Sequence, residues 1–212
     1  MMVRMVVGVA MLALLSGCAL NRSQVEVDGN AGAVPTTASV NGKKVYITAV
    51  DERVFQSKPT TPDNPSVMFQ QMEDKAITER VIARKRNTYG MHIGDVLLKP
   101  GHTVPGIVSD AVAAAYRQAG YQVVSEPGVQ GATGVQVNIA QFWSWTVLRG
   151  VLDSVTYNRA VLNIKPADGP EYQVKTEVNK EFAIGSTDRW KVITEDGLKA
   201  VTQQTLKHLQ QP

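Results

Sequence analysis

Cys18 is the only cysteine among 212 residues, and it stands at the end of a short apolar run near the N-terminus. A chain with one cysteine forms no internal disulfide, so any domain it builds rests on an apolar core rather than on covalent staples. With 43% hydrophobic residues, the chain can supply such a core. Ahead of the cysteine lie Met1-Met2-Val3-Arg4-Met5, with one basic residue, then apolar Val6 to Leu15, then small Ser16 and Gly17. The apolar run is shorter than the ~20 residues a helix needs to span a bilayer. Basic, apolar and small segments in that order read as a secretory signal. No later stretch is apolar and long enough to span a membrane.

The end of that signal, Leu15-Ser16-Gly17-Cys18, resembles the lipobox of bacterial lipoproteins. The resemblance implies cleavage between Gly17 and Cys18, a thioether-linked diacylglycerol on Cys18, and acylation of the new amino group. Buried acyl chains contribute ~0.8 kcal/mol per CH₂ and stable anchoring takes two chains or more, which such a modification exceeds. Ala19, not Asp, follows the cysteine. By the sorting rule of enteric bacteria this implies the periplasmic face of the outer membrane.

Loss of residues 1–17 leaves 195 residues, with 21 basic against 19 acidic side chains. That near-neutral balance and the exported compartment argue against a nucleic-acid partner. Residues 19–41 are rich in Gly, Ala, Ser, Thr and Asn with little periodicity. Residues 18–41 therefore read as a lipidated flexible tether, and residues 42–212 as a single periplasmic domain.

Within that domain, Lys43 to Val50 alternates as a strand and ends at Asp51-Glu52-Arg53. Pro59, Pro62 and Pro65 break regular structure, and residues 66–80 carry only a poor helical stripe. Val81 to Arg86 and Asp95 to Lys99 read as short strands. Val104, Ile107, Val108, Ala111, Val112, Ala115 and Ala119 fall on one face of a helix. Thr103 suits its N-cap and Gly120 its C′ position. After a strand from Tyr121 to Ser125, three long alternating segments follow: Val135 to Val147, Val155 to Lys165 and Glu171 to Ile184. In the first, all odd positions from Val135 through Trp143 and Trp145 to Val147 are expected on one face. A last helix begins near Thr187-Asp188, with Gly197 inside it. The expected fold class is α+β: a two-layer domain, mainly antiparallel, with a three-strand meander and two amphipathic helices packed on one face.

Several short motifs line up with the lipobox: Asp51-x-Arg53, Leu98-Lys99-Pro100, Ala119-Gly120-Tyr121-Gln122-Val123 and Val137-Asn138-Ile139-Ala140-Gln141. With the terminal helix they make the chain look like the YajG family of small Gram-negative outer-membrane lipoproteins over most of residues 43–210. The resemblance implies a location and a fold, and it brings no catalytic residues. Residues 54–90 are longer and richer in proline than that pattern.

The residues that could carry chemistry are few. Asp51 and Arg53 share a side at a strand end and read as a local ion pair or a binding pair. His92, His102 and His208 are scattered without metal-ligand spacing, so no metal or cofactor is expected. Neither a Gly-x-Ser-x-Gly elbow nor a glycine-rich phosphate loop is present in the sequence. The basic cluster Arg80, Arg84, Lys85 and Arg86 reads as a solvated face or as a contact for lipid headgroups or peptidoglycan carboxylates. Phe142 points away from the face of Trp143 and Trp145. If its face is uncovered, Phe142 and Leu148 make an apolar partner surface beside Arg84, Lys85 and Arg86. Tyr46, Trp143 and Trp145 either pack in the core or serve as stacking platforms for a glycan or small ligand. The leading expectation is a non-catalytic binding or adaptor lipoprotein of the cell envelope. It would be held to the bilayer through acylated Cys18 and engage an envelope protein. Ligand or glycan binding is the alternative and a hydrolase the third reading.

Overall fold

The computed structural model describes residues 22–34, 41–150 and 153–211; Gly17 and Cys18 lie outside them. In chain order the elements are β1 (Ser23–Val25), β2 (Lys44–Asp51), a 3₁₀ turn (Phe69–Gln71), α1 (Lys75–Thr78), β3 (Val81–Arg86) and β4 (His92–Leu98). There follow α2 (Val104–Gln118), β5 (Gln122–Val124), β6 (Ala132–Leu148), β7 (Asp153–Pro166), β8 (Tyr172–Ala183) and α3 (Arg189–Leu209).

The eight strands form one mixed sheet, which corrects the expectation of a mainly antiparallel sheet built on a three-strand meander. The pairs β1–β4, β2–β5, β2–β6 and β3–β6 are parallel. The pairs β3–β4, β6–β7 and β7–β8 are antiparallel. Among the described residues there are also three helices, not two. Alternation in a sequence reports a half-buried strand and is silent on strand direction. Parallel neighbours need a long crossover, and the chain between β2 and β6, with α2 inside it, supplies one.

Strand β6 is the spine. One side pairs with β7 along nearly its whole length. The other side pairs with β2 from Ala132 to Ile139, then meets β3 where Ser144 lies opposite Ala83. Near this change of neighbour sits a β-bulge: Ile139 faces Leu162 and Gln141 faces Val161, which leaves Ala140 without a partner. One extra residue exchanges the two faces for everything beyond it. Before the bulge Val135, Val137 and Ile139 lie beneath α2 and α3; beyond it Phe142 takes that side. Trp143 and Trp145 go to the opposite side, into a second cluster with Val67, Ile77, Val81 and Leu97. The expected single odd-numbered face is therefore wrong past Ile139.

The second face is covered by the proline-rich segment that follows β2. Trp143 Nε1 donates to the Pro62 carbonyl at 3.1 Å and Gln141 Nε2 to that of Asp63 at 2.9 Å. Arg159 holds the Asp63 carboxylate at 2.8 Å and lies over the Trp145 ring. Trp145 stacks on Tyr157 at 5.1 Å, and Phe55 meets Trp143 edge-on.

Arg53 anchors the start of this cover. Its Nε and one terminal nitrogen grip both oxygens of Asp51 at 2.8 and 2.7 Å. The remaining donors reach the carbonyls of Thr78, Val81 and Phe142 at 2.7, 2.8 and 3.2 Å. The guanidinium thus sits where β6 leaves β2 for β3 and donates to carbonyls of three segments that meet there.

On the helical face, α2 starts as its sequence asks: Thr103 Oγ1 accepts from the Gly106 N–H, Pro105 sits in the first turn, and Gly120 takes φ 88° just past the end. Gly197 of α3 allows a close approach to β7, since a Cβ there would collide with the Asn158 amide. Residues 22–34, expected in the tether, are instead part of the domain. β1 joins the sheet, Val27 is buried in the main core, and Gln118 donates to the Gly32 carbonyl at 3.1 Å. The composition of 19–41 hid a short alternation, Val25 and Val27, whose burial overrides the Gly and Ala content.

Two outcomes are expected in urea denaturation. Arg53→Met takes the counter-ion from Asp51 and the guanidinium donors from three buried carbonyls and destabilises by about 3–5 kcal/mol; an unchanged midpoint would remove the pin assigned to Arg53. Trp143→Ala opens the second cluster at a cost of about 3–5 kcal/mol, whereas a cost near zero would mean that the cover does not pack on it.

Candidate functional site

At one end of the sheet the topology brings four chain segments together. β1 runs parallel to β4, so the N-terminal entry lies beside the start of β4 and the turn that joins β3 to it. β3 and β6 run parallel, so the ends of both strands arrive at the same place, next to the start of β7 and the end of β8. Between these segments opens a cleft of about 920 Å³. Its walls carry Arg84, Lys85, Arg86 and Arg189 together with apolar Ile93, Val147, Leu148 and Ile184. No Asp, Glu or His is among its described lining residues.

Each cation is positioned by its own element. Arg84 lies on β3 with its side chain almost fully buried; it donates to the carbonyls of Val67 at 3.0 Å and Ser57 at 3.3 Å. Its Nε lies 3.9 Å from Asp95 Oδ1 and makes no hydrogen bond. Burial lowers the Arg84 pKa, with Asp95 acting against that. Lys85, the next residue of β3, bonds the Ser23 hydroxyl of β1. Burial lowers its pKa too, again opposed by Asp95. Arg86 donates to the Gly90 carbonyl across the turn at 2.9 Å. Arg189 opens α3 and donates to the Ser186 and Ala183 carbonyls and the Ser154 hydroxyl. These hydrogen-bond partners are neutral, so the guanidinium is oriented without being cancelled by a bonded carboxylate.

Behind the cations, buried Asp95 accepts from His92 Nε2 at 3.0 Å. Burial, and then the charge of Arg84, lower the His92 pKa, against the attraction of Asp95. The cleft is therefore lined by basic and apolar side chains, a combination that suits an anionic group carried on an apolar body. Among the described residues no group of three or more His, Cys, Asp or Glu is placed to hold a metal.

The residues singled out in the sequence separate cleanly. Arg84, Lys85, Arg86 and Leu148 meet at the cleft. Phe142 does not: it is fully buried under the helices and offers no surface to a partner. Trp143 and Trp145 are buried beneath the proline-rich cover, which removes them as stacking platforms. Tyr46 lies half-buried on β2, opposite Val124 and Gly134 and not among the cleft's lining residues. Sequence reasoning missed Ile93, Val147, Ile184 and Arg189. A signal was present in length: β6 has 17 residues and α2 only 15. That is roughly 56 Å of strand against 22 Å of helix, so β6 runs well past α2.

No family model matches the chain, and no curated protein does. Among solved structures it is similar to a Xanthomonas campestris protein of the DUF330 family, with 12% identity over 89% of this chain and 91% of that one and a TM-score of 0.44. It is also similar to a minor lipoprotein of Acinetobacter baumannii, with 9% identity over 48% of this chain and 82% of that one and a TM-score of 0.36. Rare lipoprotein B of Shewanella oneidensis matches with 10% identity over 48% and 83% of the two chains, at a TM-score of 0.34. No described helix is long and apolar enough to cross a membrane.

The lowered pKa of His92 sets a pH dependence. In the unfolded chain an imidazole titrates near 6.5, so below that value the unfolded state binds the extra proton first. Stability therefore falls as pH drops through the unfolded value, and the loss is complete below the folded one. Between about pH 7 and pH 5 the thermal midpoint of the protein is expected to fall more steeply than that of His92→Asn. Parallel pH profiles would show that His92 does not carry this dependence.

Proposed function

We propose that the protein is a lipid-anchored, non-catalytic binding module of the bacterial cell envelope, tethered through acylated Cys18 to the periplasmic face of the outer membrane. The lipobox and the YajG-like motifs support the anchor and the location. The cleft supports the binding role. The single observation that carries it is four basic residues gathered with apolar side chains, Ile93, Val147, Leu148, Ile184 and Trp190 among them, on one concavity, with no carboxylate among the described lining residues.

The mechanism is concentration and capture. The anchor confines the domain to the membrane surface, and the cleft engages an anionic envelope component there. Charge complementarity supplies steering, and the apolar walls supply the area that holds the ligand. The adaptor role follows if that component is the acidic segment of an envelope protein. A glycan reading that rests on Trp143 and Trp145 is not proposed, because both rings are covered.

The test is photo-crosslinking in living cells from position 86, with position 168 at the far turn as control. A discrete adduct at 86 that is lost when Arg189 is changed to Glu is the expected result. Its mass separates a protein partner from a lipid or glycan. The same labelling at 86 and 168 would overturn the cleft as a binding site. In parallel, Cys18→Ser is expected to move the protein from the membrane to the soluble fraction while leaving its thermal midpoint unchanged. Retention in the membrane would refute the anchor.

A further inference from the structure

The domain's exposed apolar side chains are not scattered. Ten large hydrophobic residues are exposed among those described, and six of them lie at the cleft end of the sheet: Tyr89, Met91, Ile93, Val147, Leu148 and Ile184. They come from three separate hairpins or loops: the β3–β4 turn, the end of β6 and the loop after β8. None of these positions packs in either core cluster. A soluble domain gains nothing from gathering uncovered apolar tips in one place, and such a patch marks a contact surface.

The covalent chain says which surface it meets. β1 begins at Ser23, five residues after Cys18. Five residues reach at most about 18 Å when fully extended. The 14 residues of β7 span roughly 46 Å, and the turn near Asp168 stands at their far end. A lipid on Cys18 therefore holds the β1 end of the sheet within about 18 Å of the bilayer, whereas the far turn is tied to it only through the length of the sheet. The charge at this end agrees with an anionic leaflet. Arg22, Lys85, Arg86, Arg149 and Arg189 lie there, against Asp153, Glu181 and Asp188. Arg149 is within 4.0 Å of Glu181, and both are largely exposed.

We infer that this end of the sheet is a membrane-docking face: the six apolar tips enter the headgroup region of the leaflet that holds Cys18, and the cleft opens directly onto lipid. The inference rests on the lipid anchor proposed above. It deepens that reading by giving the cleft a neighbour, the anionic lipid surface itself. Interfacial apolar groups of this kind bury to the headgroup boundary, and flanking Lys and Arg side chains meet the phosphates.

The test uses the mature, lipidated protein in vesicles of phosphatidylcholine with phosphatidylglycerol. The thiol of Cys18 is consumed by its lipid, so a fluorophore can be placed on one new cysteine at a time: Met91→Cys, Leu148→Cys or Asp168→Cys. Brominated lipids in the bilayer should quench the label at 91 and at 148 about twofold or more over that at 168, as expected for side chains at the headgroup boundary. Replacing Arg86 and Arg149 together by Glu should weaken that quenching in anionic vesicles and leave it unchanged in phosphatidylcholine alone. Equal, weak quenching at all three positions in protein that floats with the vesicles would overturn the docking face while sparing the anchor. Protein that does not float, and whose N-terminal peptide lacks the acyl mass, would overturn the anchor and the docking face with it.

Discussion

The structure depends on how β6 changes neighbours. A strand that pairs with β2 over its first half and meets β3 beyond leaves a fork, and backbone groups inside a fork have no ladder to join. Arg53 closes it. Its guanidinium donates to the carbonyls of Thr78, Val81 and Phe142 while holding both oxygens of Asp51. A buried cation with five satisfied donors is stable only because every lobe it joins stays in place. The end of β2, the start of β3, α1 and the middle of β6 are thereby locked to one another.

The bulge at Ala140 works with this fork. By shifting the alternation one step it sends Phe142 under the helices and Trp143 and Trp145 to the other side. The sheet then has an apolar surface on both faces, and each requires a cover. Helices α2 and α3 cover one. The segment from Phe55 to Ile77, which forms little regular structure, covers the other through the Trp143, Gln141 and Arg159 contacts to Pro62 and Asp63. The prolines suit that work, because a cover held by side-chain hydrogen bonds to its carbonyls does not need backbone donors of its own.

With both faces covered, the uncovered apolar surface collects at a strand end. The parallel pairing of β1 with β4 and of β3 with β6 gathers strand tips, beside the start of α3, at the end where the described chain begins. Cleft and N-terminal entry are thus joined by topology rather than by any local motif. The near-neutral overall charge conceals this, because the cations of β3 and α3 lie close together while carboxylates such as Asp168 and Glu171 lie at the far turn.

Much of this was legible in residue order alone. The lone cysteine and the apolar run before it determined that the core must hold the domain without disulfides. The periodicity of Val104 to Ala119, with Thr103 and Gly120 at its ends, located α2, because a capped amphipathic helix is specified by contacts within about four residues. The basic cluster at 84–86 and Leu148 were visible as candidate surface. What only tertiary structure decided were the directions of the strands, the exchange of faces at Ala140, the docking of residues 22–34, and the meeting of Arg189 and Ile184 with Arg84. Each depends on partners distant in sequence. Alternation looks the same in parallel and antiparallel strands, an unpaired residue is recognised only against the strand it fails to pair with, and a cleft between four segments exists only once the sheet has brought them together.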